Sequence, residues 1–579
     1  MKFRYKARWT QVALAAALVI GLPLAAGAQG RGGGVPEPYT PANDAKDLRA
    51  VLFNWERNMG MLKGHDERDM VAMLEYKGKG TIQVDGQPCT LTKFRVSTNY
   101  QTYSQRTQIG CTRANGQAYS NIEVVSWQYA WNEDTPGAEI SGTKGKATPA
   151  PATVQERLIR LWGSPQGAPK AAVAALTDNW LLGANPGTLL ADGVNKVKET
   201  SLVWEGNKPV ITFPIPGVAG ATGTATLDAK YMTEKVVVKQ GTNTTEFTYS
   251  DYQDWNNPLN KIEVFYAGKM VERKNGTVVR DLTTTETETG NVYVVAPVPA
   301  SVQAAIKVGS PLPKGVFAKT EPPIDKTIPT PRQGTHPDLS GNWNYSDWIG
   351  NYMTGGGRRR APTQSPDTNR QDNQTYDFEL YSPSRFGNTG RPVYKPEHWD
   401  KVIELDMWTN KYDPVMTCQP LGVPRQGPPR RIIQSENDVL FLYAGGDAGG
   451  GYGEYRVIPT DNRKHDPQRA IETTYLGYTV GRWEGDTLVL DAIAFVDTTW
   501  LGRGGFFHSS DMRVVEKFTR QGDVILYDVT VEDPQVLVEP WVIPTRVLRK
   551  NANRDAGLQR ERGNCEVYEL EDISSQIRH

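Results

Sequence analysis

The chain of 579 residues holds only four cysteines and six histidines, and it carries no excess of charge, with 65 Lys and Arg against 65 Asp and Glu. A balanced chain lacks the electrostatic footprint of a nucleic-acid binder, so that class is excluded. No GxSxG elbow, HExxH pair, Walker loop or Rossmann fingerprint followed by a helix occurs. No organic cofactor is therefore implied. No CxxC or Cys/His spacing suggests a metal site, although Asp461 beside His465 has the right chemistry for a ligand pair. After Ala25 there is no apolar run of the roughly 20 residues a membrane helix needs. No transmembrane segment is expected.

What is present begins with an export pattern. Lys2, Arg4, Lys6 and Arg8 precede an almost wholly apolar Val12 to Ala25, and Ala26-Gly27-Ala28 supplies the small residues of a cleavage site. This reads as a signal peptide over 1–28, giving a periplasmic or secreted mature chain. An even number of cysteines in an exported chain reads as disulfides. The expected pairs are Cys89 with Cys111 and Cys418 with Cys565, one in each half.

Plentiful Tyr, Trp, Thr, Val and Gly with frequent turn signals predict a mainly β protein with a few helices. A flexible leader over 29–41 is followed by Leu48, Leu52, Trp55 and Met59 at helical spacing within Ala42 to Met61. Strand-like alternation runs from Val71 to Trp131, with turns at Asp85-Gly86 and Asn115-Gly116. Helices are predicted over Val154–Trp162 and Pro169–Leu182, and strands over Ser201–Val298, with Lys274-Asn275-Gly276 closing a hairpin. The proline-dense stretch 306–337 reads as a linker. It separates a first domain over 42–305 from a second over 338–579, whose short strands and many turns indicate an antiparallel barrel or sandwich.

Thr224 to Lys230, Tyr249-Ser250-Asp251-Tyr252-Gln253-Asp254-Trp255, Val271-Glu272-Arg273 and Ala296-Pro297-Val298-Pro299 together resemble the half-open barrels of exported proteins related to the lipoprotein carriers LolA and LolB. That resemblance implies an antiparallel sheet wrapped around helices, an apolar cavity, and a lipid or small-molecule ligand. The second half resembles a family of uncharacterised secreted bacterial proteins through Cys418 to Arg425, Arg456 to Arg463, Gly481 to Thr487 and Glu532-Asp533-Pro534. Gly341-Asn342-Trp343 is similar to the Gly-x-Trp entry of a lipocalin-type barrel.

Candidate chemistry comes from the two best hairpins. With Gln521-Gly522 as the turn, Met512, Val514, Glu516 and Phe518 share an apolar face with Ile525, Tyr527, Val529 and Val531. Glu516 then points into the core opposite Tyr527, where desolvation suits a carboxylate to proton transfer. With Glu484-Gly485 as the turn, Asp491 lies opposite Tyr478 on a similar face. His508, in the loop entering the Glu516 strand, is a candidate acid or base, with Asp491, Arg463 and Tyr527 orienting. The glycine cluster Gly445 to Gly453 reads as a hairpin loop, not a phosphate cradle, because no helix follows it. Trp127 and Trp131 are candidates to line a ligand cavity in the first domain, and Tyr478 in the second. Two functions follow: an exported binding protein for a hydrophobic small molecule or acyl chain, or a cofactor-independent hydrolase, lyase or isomerase with its site in the second domain.

Overall fold

A computed structural model describes residues 39–63, 68–69, 71, 73–176, 190–255, 265–289, 292–308, 327–345, 391–414, 418–443, 454–502 and 504–552. The predicted signal peptide, most of the predicted leader, the Gly445–Gly453 cluster, much of the predicted linker and Cys565 lie outside them.

The described chain is mainly β, as its composition predicts. Asp47 caps the first helix, Leu48–Asn58, by accepting from the Ala50 amide at 2.9 Å. The apolar stripe of that helix, Leu48, Leu52, Trp55 and Met59, is buried. The predicted helix at 154 is present as Val154–Gly163, and the next is Gly167–Ala174. All three pack into one core with the first sheet.

That sheet has fourteen antiparallel strands among the described residues. Two meanders build it. One runs outward from Met73–Val84 to Ala147–Pro149, and the other runs inward from Lys196–Val197 to Thr277–Glu288. They join where Thr277–Glu288 pairs with Met73–Val84, so the first and last long strands meet in the middle. The hairpins at Asp85-Gly86 and Asn275-Gly276 have positive φ at both central residues. That backbone twist matches the strand twist, which is why these sequences close hairpins tightly. Cys89 and Cys111 are disulfide-bonded across neighbouring strands, as predicted. Cys418 is also disulfide-bonded.

The second sheet has nine strands among the described residues. Gly341–Tyr345 pairs with Arg431–Gln434 through Gly341 and Asn342, and with Trp541–Lys550 through Trp343 onward, so one strand bends from one side to the other. The two edge strands, Tyr455–Pro459 and Tyr478–Glu484, come together: the Arg456 guanidinium reaches Thr479 Oγ1 at 3.4 Å. The sheet is therefore a nearly closed barrel with its own core. Trp343 is buried inside it, its indole N–H donates to the Leu339 carbonyl at 3.0 Å, and the Arg520 guanidinium stands 5.2 Å from its ring centre. A helix that periodicity did not predict, Trp399–Met407, packs alongside.

The two cores are not insulated from each other. Tyr293 and Val295, which follow the first sheet, belong to the second core. The Tyr293 hydroxyl donates to the Pro392 carbonyl at 2.6 Å and accepts from the Tyr394 amide at 2.8 Å. Arg106 of the first sheet lies 4.7 Å from the Trp399 ring. The end of the proline-rich stretch is tied to the second sheet as well, where Thr330 Oγ1 accepts from the Gly522 amide at 2.8 Å.

Candidate functional site

Glu516 stands where its face predicts, inside the second barrel and 0% exposed. Its pairing differs from the expectation. Gln521 pairs with Val524, so the turn is Gly522-Asp523, and Phe518 lies opposite Tyr527 while Glu516 lies opposite Val529. The shift is by a whole pair, so every residue keeps its face. Tyr527 still reaches Glu516, diagonally, and its hydroxyl donates to Oε1 at 2.8 Å. The physical reason lies in the glycine. Gly522 has φ of +62° and takes the first central position of the turn. A glycine can supply the positive φ at either central position of a two-residue turn.

The other side of Glu516 faces Arg456, whose guanidinium lies 2.7 Å from Oε2. Arg456 also donates to the Tyr443 hydroxyl at 2.8 Å. Burial works to lower the Arg456 pKa, but Glu516 and Tyr443 outweigh it, and the group is held above its ordinary value. The Tyr527 hydroxyl is pushed well up, first by burial and then by the Glu516 charge. The arrangement is a sealed ion pair with two phenol partners. A carboxylate locked in this way is poorly placed to exchange protons with a substrate.

The remaining catalytic candidates are not gathered around it. Asp491 takes the opposite face of its strand: Glu484 pairs with Thr487, and Val480, not Tyr478, lies opposite Asp491. Leu488, Leu490 and Ala492 fill the core instead. Asp491 is bound on the outside by Arg513 at 2.7 and 2.8 Å. Burial alone would raise its pKa, but Arg513 holds it below its usual value. The inward reading fails here because both faces of this strand are apolar, so alternation does not mark a single inner side. His508 is buried with Nε2 2.6 Å from Thr499 Oγ1 and Nδ1 2.8 Å from the Ser509 carbonyl. Both ring nitrogens are thus occupied by groups other than Glu516. Arg463 is exposed and holds Asp461 through Nε at 2.8 Å. His465 is turned away from that pair, with Nε2 3.0 Å from the Asp491 carbonyl. Among the described residues no cluster of His, Cys, Asp and Glu is arranged to hold a metal.

In the first half, the interior that the LolA resemblance implied as an apolar cavity is filled by Trp55, Trp162, Tyr100, Tyr103 and Phe213. About 40 Å³ of space remains beside Tyr76, Tyr100, Tyr249 and Tyr266. That admits a few waters at most. It is also charged: Glu272 lies 3.1 Å from Arg160 and 3.4 Å from Arg280. Trp131 is fully buried in a separate small cluster and donates to Glu133 at 2.9 Å. Trp127 packs edge-on against Tyr103 at 5.2 Å. Neither lines this space.

An accessible opening lies at one rim of the fourteen-stranded sheet. It is a groove of about 1070 Å³ between the end of the first helix, the turn Asp228–Met232 and the strand ends near Tyr252 and Phe265. Leu62, Tyr231, Met232, Tyr252 and Phe265 supply its apolar surface, and Arg57, Lys230 and Asp251 stand on its lining with them. Tyr249 belongs to both the groove and the small interior space. The Tyr252 hydroxyl donates to the Thr233 carbonyl at 2.7 Å, which fixes its ring.

No family model and no curated protein match the chain. Among solved structures it is similar to a LolA superfamily protein from Nitrosomonas europaea. The two share 8% identity with a TM-score of 0.20, over 45% of this chain and 97% of that one. No site residue is transferred from that protein.

One buried charged group that periodicity allowed, Glu56, was not among the expected site residues. Glu56 follows Leu52 by four positions, which puts a carboxyl on the buried face of the first helix. Its Oε2 is buried without a hydrogen-bond partner among the described residues. Burial first, then the charge of Asp69, pushes its pKa well up, against the pull of Lys170. Lys170 itself is ion-paired with Asp69.

Proposed function

We propose that this chain is an exported binding protein for a hydrophobic small molecule or acyl chain, held in the rim groove of the first sheet. The observation that carries the reading is the groove itself, whose volume and mixed apolar and polar lining suit a small-molecule ligand. Leu62, Met232, Tyr252 and Phe265 would cover the apolar part of the ligand, while Arg57 and Lys230 would meet a polar end. Export rests on the basic, apolar and small-residue pattern of Lys2 to Ala28, and the Cys89–Cys111 disulfide agrees with an oxidising compartment. The catalytic alternative loses its main support, since Glu516 is sealed by Arg456 and Tyr527.

The test uses cis-parinaric acid, a fluorescent fatty acid, titrated into the mature protein. Binding is expected, and Met232→Arg, which places a charge on the apolar wall, should weaken it by about tenfold or more, roughly 1.4 kcal/mol. Absence of a fluorescence rise, or equal binding by a folded Met232→Arg protein, would overturn the reading.

A further inference from the structure

A second groove runs along the seam of the nine-stranded barrel, between and beside its edge strands. The backbones of Tyr455–Pro459 and Tyr478–Glu484 are not paired with each other. They approach closely at one point, where a Cβ on Gly481 would stand 3.0 Å from the Pro459 carbonyl oxygen. The groove encloses about 790 Å³ and shares no residue with the rim groove of the first sheet.

Its charges decide what fits. Arg463 and Arg469 line it together with Asp438, Glu454 and Glu472, while the Arg456 guanidinium is turned inward onto Glu516. Two cations against three anions leave no excess of positive charge. Its other feature is a set of tyrosines: Tyr455, Tyr475 and Tyr478. Tyr455 is 63% exposed on an outward-facing strand position. Tyr478 carries the Arg469 guanidinium 4.6 Å from its ring centre and the His465 ring edge-on at 5.1 Å.

An acyl chain in this groove would strand five charged groups away from water, at high cost. A polyanion would find two arginines but also three carboxylates. A neutral polyhydroxylated molecule satisfies both kinds of group. Neighbouring hydroxyls accept from a guanidinium fork and donate to a carboxylate, while the C–H faces of a sugar ring lie on tyrosine rings. Arg463 is already held in place by Asp461, which reduces the ordering cost of using it. We propose that the barrel seam is a binding site for a neutral oligosaccharide, with Tyr455 and Tyr475 as stacking platforms and Arg463 and Arg469 as hydrogen-bond donors. The site is independent of the rim groove, and the two ligands would bind together.

The experiment is calorimetric titration of the mature protein with cellohexaose, maltohexaose and laminarihexaose, and with polygalacturonate as an anionic comparison. At least one neutral hexasaccharide should bind without displacing parinaric acid. Tyr455→Ala should weaken that binding by about tenfold, with an unchanged melting temperature because the side chain is exposed. Tyr475→Ala is the second variant, should the first unfold. The proposal is overturned if none of the three neutral sugars binds at millimolar concentration. It is equally overturned if both tyrosine variants bind unchanged, or if polygalacturonate alone binds and salt abolishes it.

Discussion

Replacing Glu516 by Gln keeps the shape of the side chain but leaves the Arg456 guanidinium buried without its counter-charge. Breaking a buried pair from one side typically costs about 3–5 kcal/mol, because the remaining charge is uncompensated. Glu516→Gln should therefore lower the denaturant midpoint markedly, and the double variant Glu516→Gln with Arg456→Met should recover part of the loss. Equal stability of the single variant and the wild type in a denaturant titration would contradict the sealed-pair reading. At this scale half of the arrangement was legible. Strict alternation along Arg513–Gln521 told which way Glu516 points. Arg456 was not legible as its partner, because it comes from an edge strand that reaches Glu516 only when the barrel closes. The same closure takes Asp491 the other way, since nothing in its own strand distinguishes inside from outside.

Among the elements, the join between the two meanders of the first sheet is the most constrained. Gly80 has φ of +138°, and a Cβ there would meet the Asp281 carbonyl oxygen at 2.0 Å. The pairing on both sides of it is irregular, with register shifts between Lys77 and Thr81 and between Thr284 and Glu286. A glycine inside a strand pattern is the ordinary sequence sign of such a bulge. Gly80→Ala should destabilise by about 1–3 kcal/mol or more from backbone strain, visible as a lowered melting temperature. Gly78→Ala, where the nearest atom would be the Thr283 carbonyl oxygen at 3.2 Å and φ is ordinary, should cost less. Equal melting of the two variants would remove the special role of Gly80. The hairpins show what the sequence can and cannot set at this scale. Asp85-Gly86 and Asn275-Gly276 fix their turns, while Gly485 and Gly522 each allow two registers, and the burial of the whole strand selects one.

For the whole molecule, the charges that folding perturbs predict the response to acid. Burial holds the His508 imidazole below its usual pKa, against the Ser509 carbonyl and Asp533 that act to raise it. Its contribution is full above the unfolded value of about 6.5 and is lost as pH falls toward the folded one. Glu272 and Glu156 follow the same sign lower down. Burial acts to raise both, but Arg160 and Arg280 pull Glu272 down, and Arg160 and Lys274 pull Glu156 down to about 2. Their contributions are full above the usual carboxylate range and are lost as pH falls below it toward the depressed values. Glu56 opposes them: its raised pKa gives stability that is full at low pH and fades as pH rises. Between neutral pH and 5, His508 lowers the unfolding free energy as pH drops while Glu56 raises it, so the slope carries a His508 part that His508→Asn should remove, leaving the variant relatively more stable at the acid end. Urea titrations at several pH values check this, and an identical slope in the variant would exclude His508 as its source.

The sequence by itself determined what depends on neighbours in the chain: strand alternation, the helical stripe around Trp55, the hairpin turns at Asp85-Gly86 and Asn275-Gly276, and the Cys89–Cys111 staple. Tertiary structure alone decided that Met73–Val84 pairs with Thr277–Glu288, that Tyr293 joins the second core, that Arg456 meets Glu516, and that the first sheet keeps its open space at the rim. The reason is physical. Periodicity reports burial against some partner, whereas sheet order and closure depend on pairings between distant segments, whose gain appears only when the whole surface is buried at once.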